Sequence, residues 1–136
     1  MQKSEELKKI VVEMYNNMFN PSYFENKILK TDDLLSIGTD ESEWITGYEN
    51  FMTSLKKQAE VIPDAKVTNS NPNAYVEGSV AWFNDKVTLA VNNDKVNMRV
   101  TGVLHKEGDN WKLVQGHFSI GMPNADTAFG DVRIVD

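Results

Sequence analysis

The chain has 136 residues, 40% of them hydrophobic and 25% charged, with a net charge of −6 and no cysteine. That composition describes one ordinary globular domain with enough length for its own core. It excludes disulfides and thiolate chemistry, and it offers no basic surface for nucleic acid or an anionic membrane.

The start, "MQKSEELKKIVVEMYNNMF", has no long apolar run and no small-residue cleavage site, so it does not read as a signal peptide. No stretch approaches the roughly 18 apolar residues of a membrane span. A cytoplasmic location is the expectation.

Ser4 is placed to cap a first helix, with Glu5 and Glu6 in its first turn. Leu7, Ile10, Val11, Met14, Met18 and Phe19 then make one apolar stripe, with Tyr15 at its edge. Pro21 opens a short second helix whose inner side is Phe24, Ile28 and Leu29. "LLSIG" (34–38) reads as a strand and "TDESEW" as a polar loop. A third helix runs from about Thr46 to Glu60, striped by Tyr48, Phe51, Met52, Leu55 and Ala59.

From Lys66 the period changes to that of strands. "AKVTNS", "YVEGSVAWFN", "KVTLAV", "VNMRVTGVLHK" and "WKLVQGHFSIG" are separated by turns at "NPNA", "NNDK" and "EGDN". Asn84-Asp85 is either a bend between two strands or part of one longer strand. Helices followed by an antiparallel meander imply an α+β fold, with three helices packed on a curved sheet. Residues 122–136 form a tail without clear pattern.

Alternate strand residues share a face. Val96, Met98, Val100, Gly102 and Leu104 are predicted to face the core, as are Val114, Gly116, Phe118 and Ile120. Within 75–84 the same test puts Val76, Val80, Trp82 and Asn84 inside, against Glu77, Ser79, Ala81 and Phe83. A bulge near Gly78 would reverse that assignment.

His117 and Ser119 then share the outer face. No third residue is placed to orient the imidazole, so a nucleophilic pair is the weaker reading. The mixed apolar surface of Trp111, Leu113, Gln115 and His117 points instead to association with a second subunit. Arg99, on the same outer face, would pair across such a dimer. The two histidines lack neighbouring ligands, and neither a metal nor another cofactor is implied.

The motifs "IGTDESEWITGYENF" (37–51) and "GDNWKLVQGHFSIG" (108–121), set behind three helices and within a curved sheet, resemble the SnoaL-like family of the NTF2-like superfamily. This group, also called cystatin-like cone or ketosteroid isomerase-like, includes the ketosteroid isomerases, scytalone dehydratase and the association domain of calmodulin-dependent kinase. The resemblance reaches from the N-terminus to about Met122. It implies a cone-shaped pocket between helices and concave sheet, and a homodimer through the sheet's outer face. In the related association domains polar side chains reach the cavity from positions corresponding to Asn84, Gly102 and Phe118. Two of these are glycine and phenylalanine here, which argues against a charged ligand.

The expected pocket residues are Tyr15, Trp44, Trp82, Asn84, Met98, Val100 and Phe118. Trp82 either stacks on a flat ligand or fills the core, and Trp44 either closes the mouth or anchors its loop. The expected dimer residues are Arg99, Trp111, Gln115 and His117. Isomerase chemistry in the superfamily needs a carboxylate base and an oxyanion hole containing tyrosine. Tyr15, Tyr23 and Tyr48 are the available donors, and Asp40 and Glu43 the carboxylates near the mouth. Asp85 falls on the outward parity. Binding of a small apolar or aromatic molecule is therefore the expected function, and proton-transfer lyase or isomerase activity on a cyclic apolar substrate is the alternative.

Overall fold

A computed structural model describes all 136 residues. Helix α1 spans Glu5–Asn16, and the Leu7 amide donates to the Ser4 hydroxyl at 3.1 Å. Leu7, Val11, Met14 and Tyr15 are its buried face, Ile10 of the expected stripe is partly buried, and the helix ends before Met18 and Phe19. The Asn17 amide closes the helix on the Met14 and Tyr15 carbonyls, and Pro21 opens the single turn of α2, Pro21–Phe24. Helix α3, Tyr48–Val61, buries Phe51, Met52 and Leu55.

The strands are β1 (Gln2–Lys3), β2 (Leu35–Ile37), β3 (Trp44–Thr46), β4 (Lys66–Thr68), β5 (Asn73–Glu77), β6 (Val80–Val91), β7 (Asp94–Glu107) and β8 (Asn110–Ser119). They form one sheet in the order β1-β5-β6-β7-β8-β2-β3, with β4 beside the far end of β6. Every pairing between these strands is antiparallel except β2 with β8. The three helices and this mostly antiparallel sheet make an α+β fold, as the residue patterns imply. Their buried side chains meet in one core that includes Leu7, Val11, Ile28, Leu34, Ala81, Val100 and Leu104.

Two local irregularities decide which residues point into that core. Gly78, at φ 62°, turns the chain between β5 and β6, so "YVEGSVAWFN" is a hairpin rather than one strand. Val76 stays inside, but every residue after the turn changes face. Ala81, Phe83 and Val87 are buried, Asn84 is exposed, and Trp82 stacks on Tyr75 on the outer face with centroids 5.8 Å apart. Trp82 and Asn84 are therefore not inward residues. The same inversion brings Asp85 to the inner parity, opposite Val100.

The second irregularity is a shift between Val103 and Leu104. Val103 pairs with Gln115 while Leu104 pairs with Leu113, which leaves Val114 as an extra residue in β8. Gly116 keeps the inward parity expected of it, but Leu113 and Trp111 turn inward as well. Trp111 is 7% exposed and belongs to the core. It is not available to a dimer interface.

Thr46 ends a strand instead of opening α3, because Ile37, Ser36 and Leu35 pair with Trp44, Ile45 and Thr46. Beyond Ser119 the chain leaves the sheet, makes one 3-10 turn at Asn124–Asp126 and ends with Ile134 and Val135 exposed.

A Trp111→Ala variant is expected to lose about 3–5 kcal/mol in denaturant unfolding, the usual result of emptying a core aromatic site. A loss below about 1 kcal/mol would place Trp111 at the surface and contradict the Val114 bulge.

Candidate functional site

The inner face carries two glycines opposite each other, Gly102 on β7 and Gly116 on β8. A Cβ at Gly102 would fall on the Phe83 ring, so that ring occupies the space a side chain would take. At Gly116 the space stays open: a Cβ would meet only Leu113 Cδ2, at 3.7 Å. Above this floor lies a cavity of about 560 Å³ between sheet and helices. That volume is in the range of small-molecule sites.

Val11, Met14, Phe24, Phe51 and Leu55 line the cavity from the helices, and Phe83, Met98, Val100, Leu113 and Phe118 from the sheet. Its polar lining is Thr39, Ser42 and Glu43 from the 38–43 loop, Lys57 and Gln58 near the end of α3, and the hydroxyls of Ser36, Ser54 and Thr101. Of the expected pocket residues, the structure brings together Tyr15, Met98, Val100 and Phe118. Trp82 and Asn84 lie on the outer face. Trp44 is 64% exposed, and its place opposite Ile37 in β3 turns it outward too.

None of the three tyrosines presents a free donor to the chamber. The Tyr15 ring lines the cavity, and its hydroxyl is fully buried beside Asp85, near enough to feel that carboxylate but outside good hydrogen-bond geometry. Burial, and then the charge of nearby Asp85, pushes the Tyr15 pKa up and keeps the group protonated. Asp85 is itself engaged, accepting from the Asn71 amide at 3.1 Å and the Lys86 amide at 2.8 Å. It ties the β4–β5 connection to the sheet and does not line the cavity. Tyr23 lies outside the lining; burial, and then Glu13 beside it, pushes its pKa up to about 12. Tyr48 donates to the Glu25 carbonyl at 2.8 Å.

The carboxylates near the mouth differ from each other. Asp40 is fully exposed and accepts hydrogen bonds from the Ser42 hydroxyl and amide, which hold its pKa below the ordinary carboxylate value. A base for work near neutral pH needs the opposite shift. Glu43 does line the cavity. The loop reading of 39–44 hid this, because alternation from Ile45 puts Glu43 on the inward parity. Outside the cavity, His117 is exposed on the outer face opposite Thr101, and Ser119 accepts from Arg99 Nε at 3.3 Å. The histidine and serine of "GHFS" are not assembled into a nucleophilic site.

A model of the SnoaL-like domain matches residues 11–123, which covers most of the chain. The chain belongs to the SnoaL-like family. Solved structures share the fold of this SnoaL-like chain at low identity. An NTF2-like superfamily protein from Salmonella enterica matches with a TM-score of 0.73 and 12% identity, over 87% of this chain and 90% of that one. A protein named as a candidate dehydratase of the NTF2-like family, from Streptomyces avermitilis, matches at 0.72 and 16%, over 87% and 95%. A protein named as a candidate ketosteroid isomerase, from Parabacteroides distasonis, matches at 0.65 and 17%, over 88% and 91%. Among curated proteins none matches the sequence.

Removing the unpartnered hydroxyl should leave this SnoaL-like fold intact or strengthen it. Tyr15→Phe is expected to raise unfolding stability by up to about 1 kcal/mol, since a buried donor without a partner is a net loss. A clear destabilisation in urea titration would mean that the hydroxyl is bonded in solution, to Asp85 or a water.

Proposed function

We propose that this SnoaL-like protein binds a small apolar or aromatic molecule inside its cone. One observation carries the reading: a chamber of about 560 Å³ whose walls are mostly aliphatic and aromatic side chains. An apolar ligand would displace poorly held water and bury its surface at roughly 25 cal/mol per Å².

Proton-transfer chemistry is the weaker reading. The Tyr15 hydroxyl is fully buried, Tyr48 is bonded to a carbonyl, and Asp85 is held by two amides. The names of the dehydratase and isomerase neighbours come with 16% and 17% identity, which speaks for fold only.

The test uses Gly116, where a larger side chain would project into the chamber without a backbone clash. Titration with 2-ethylnaphthalene is expected to show saturable binding to the wild type. Gly116→Leu should weaken it roughly tenfold or more while leaving thermal stability equal or higher. Unchanged binding in that variant would put the ligand elsewhere. Native mass spectrometry of the purified protein would give the class of any co-purified molecule.

We also propose a homodimer through the outer face of the sheet. Supporting it are the Tyr75–Trp82 stack, the half-buried Val103 and Val80 at 42% exposure. Arg99, Gln115 and His117 are exposed on that face. Apolar surface of this kind, rimmed by polar groups, commonly marks association. The native mass is expected at twice the 15.4 kDa of the chain. Trp82→Glu should return it to the monomer, and a wild-type monomer would contradict the proposal.

A further inference from the structure

The mouth of the cavity carries a carboxylate whose position depends on a missing side chain. The Gly38 amide donates to the Glu43 carbonyl at 2.9 Å, continuing the β2–β3 ladder by one pair. Ser36 and Ile45 point inward in that ladder, so 38 and 43 share their face. A Cβ on Gly38 would fall on the Glu43 carboxylate. The carboxylate thus occupies the place where an inward side chain at position 38 would be, beside the cavity.

Glu43 is half-buried and lacks a protein partner. The ion pairs of the chain are Met1 with Glu77 and Lys112 with Glu107, and no side-chain donor reaches Glu43. A carboxylate on the cavity wall without a protein donor leaves its charge to be matched by water or by a bound cation. It is a ready partner for a cation that reaches the mouth.

Lys57 is the other charged residue of the lining, and it opens the opposite possibility, an acidic ligand. Three features favour the cation. Lys57 is exposed, so its ammonium keeps its water, whereas Glu43 is half-buried. Gln58, Val61 and Ile62, at the C-terminal end of α3, border the same mouth. The last turn of that helix has no basic residue to offset the partial negative charge of its carbonyls. The net charge of −6 attracts cations to the protein as a whole.

We infer that the cavity selects ligands combining an apolar body with an ammonium group, and that Glu43 recognises this group at the mouth. The inference rests on the small-molecule reading above and gives it a chemical class. It also departs from the uncharged pocket expected from Gly102 and Phe118, because the charge comes from the 38–43 loop. Glu43 binds and orients; no bond is made or broken.

Three probes with one ring system test it: 2-ethylnaphthalene, 2-naphthylmethylamine (protonated at neutral pH) and 2-naphthoate. Calorimetric titration of the wild type at low salt is expected to favour the ammonium probe over the neutral one by about tenfold, in the range of charge-assisted hydrogen bonds. The preference should shrink as salt is added. In Glu43→Gln the affinity ratio should fall to near one. Gly38→Ala, which displaces the carboxylate while keeping its charge, should reduce the ratio as well. Equal binding of the ammonium and neutral probes to the wild type overturns the inference alone, as does a preference that survives in Glu43→Gln. Preference for 2-naphthoate overturns it too, by assigning the mouth to Lys57. If no probe binds, the cavity reading falls and the inference with it.

Discussion

One extra residue in β8 governs the interior. Because strand side chains alternate, a single insertion reverses the face of everything beyond it. Val114 is that insertion. On one side of it, Gly116 and Phe118 face the chamber. On the other, Leu113 and Trp111 turn inward and join a close-packed core with Ile28 and Leu104. Without the bulge one of these sets would face solvent. The inner surface would then have either no packed base or no chamber above it.

The chamber itself follows from small side chains. Gly102 and Gly116 lie opposite each other, and only one of the two spaces is filled, by the Phe83 ring. Interiors are normally packed to near crystal density, so an open volume next to so many large apolar residues is unusual. Gly38 repeats the device at the mouth, where the space is taken by the Glu43 carboxylate. Three glycines on the inner face thus set where the cavity is floored, where it is open and where it carries charge.

Much of this was legible in the sequence. The capping Ser4, the α1 and α3 stripes and the inward set Met98, Val100 and Leu104 all follow from periodicity. Phe118 does too, and the motifs of 37–51 and 108–121 carried the family. What failed was register. Alternation carried straight through "EGSV" makes it the middle of a strand, whereas Gly-Ser between alternating segments is a two-residue hairpin signal. Unbroken alternation puts Trp82 and Asn84 inside and Asp85 outside, and the turn at Gly78 reverses all three. The Val114 bulge left no local mark, since Trp111 and Leu113 are as apolar as a core strand on either parity. Trp44 and Glu43 were hidden in a stretch whose charge made it look like loop. Pairing with β2 makes strand of its Trp44–Thr46 end and extends the ladder back to Glu43.

Binding inside the cone requires the chamber to be open and apolar. The most direct test is a crystal pressurised with xenon, which enters dry apolar cavities and is found by its strong scattering. Xenon should lie above Gly116, within van der Waals contact of Met98, Val100 and Phe118. If none enters because Phe19, Phe83 or Phe118 has closed over the floor, the cone is a filled core and the binding reading is wrong.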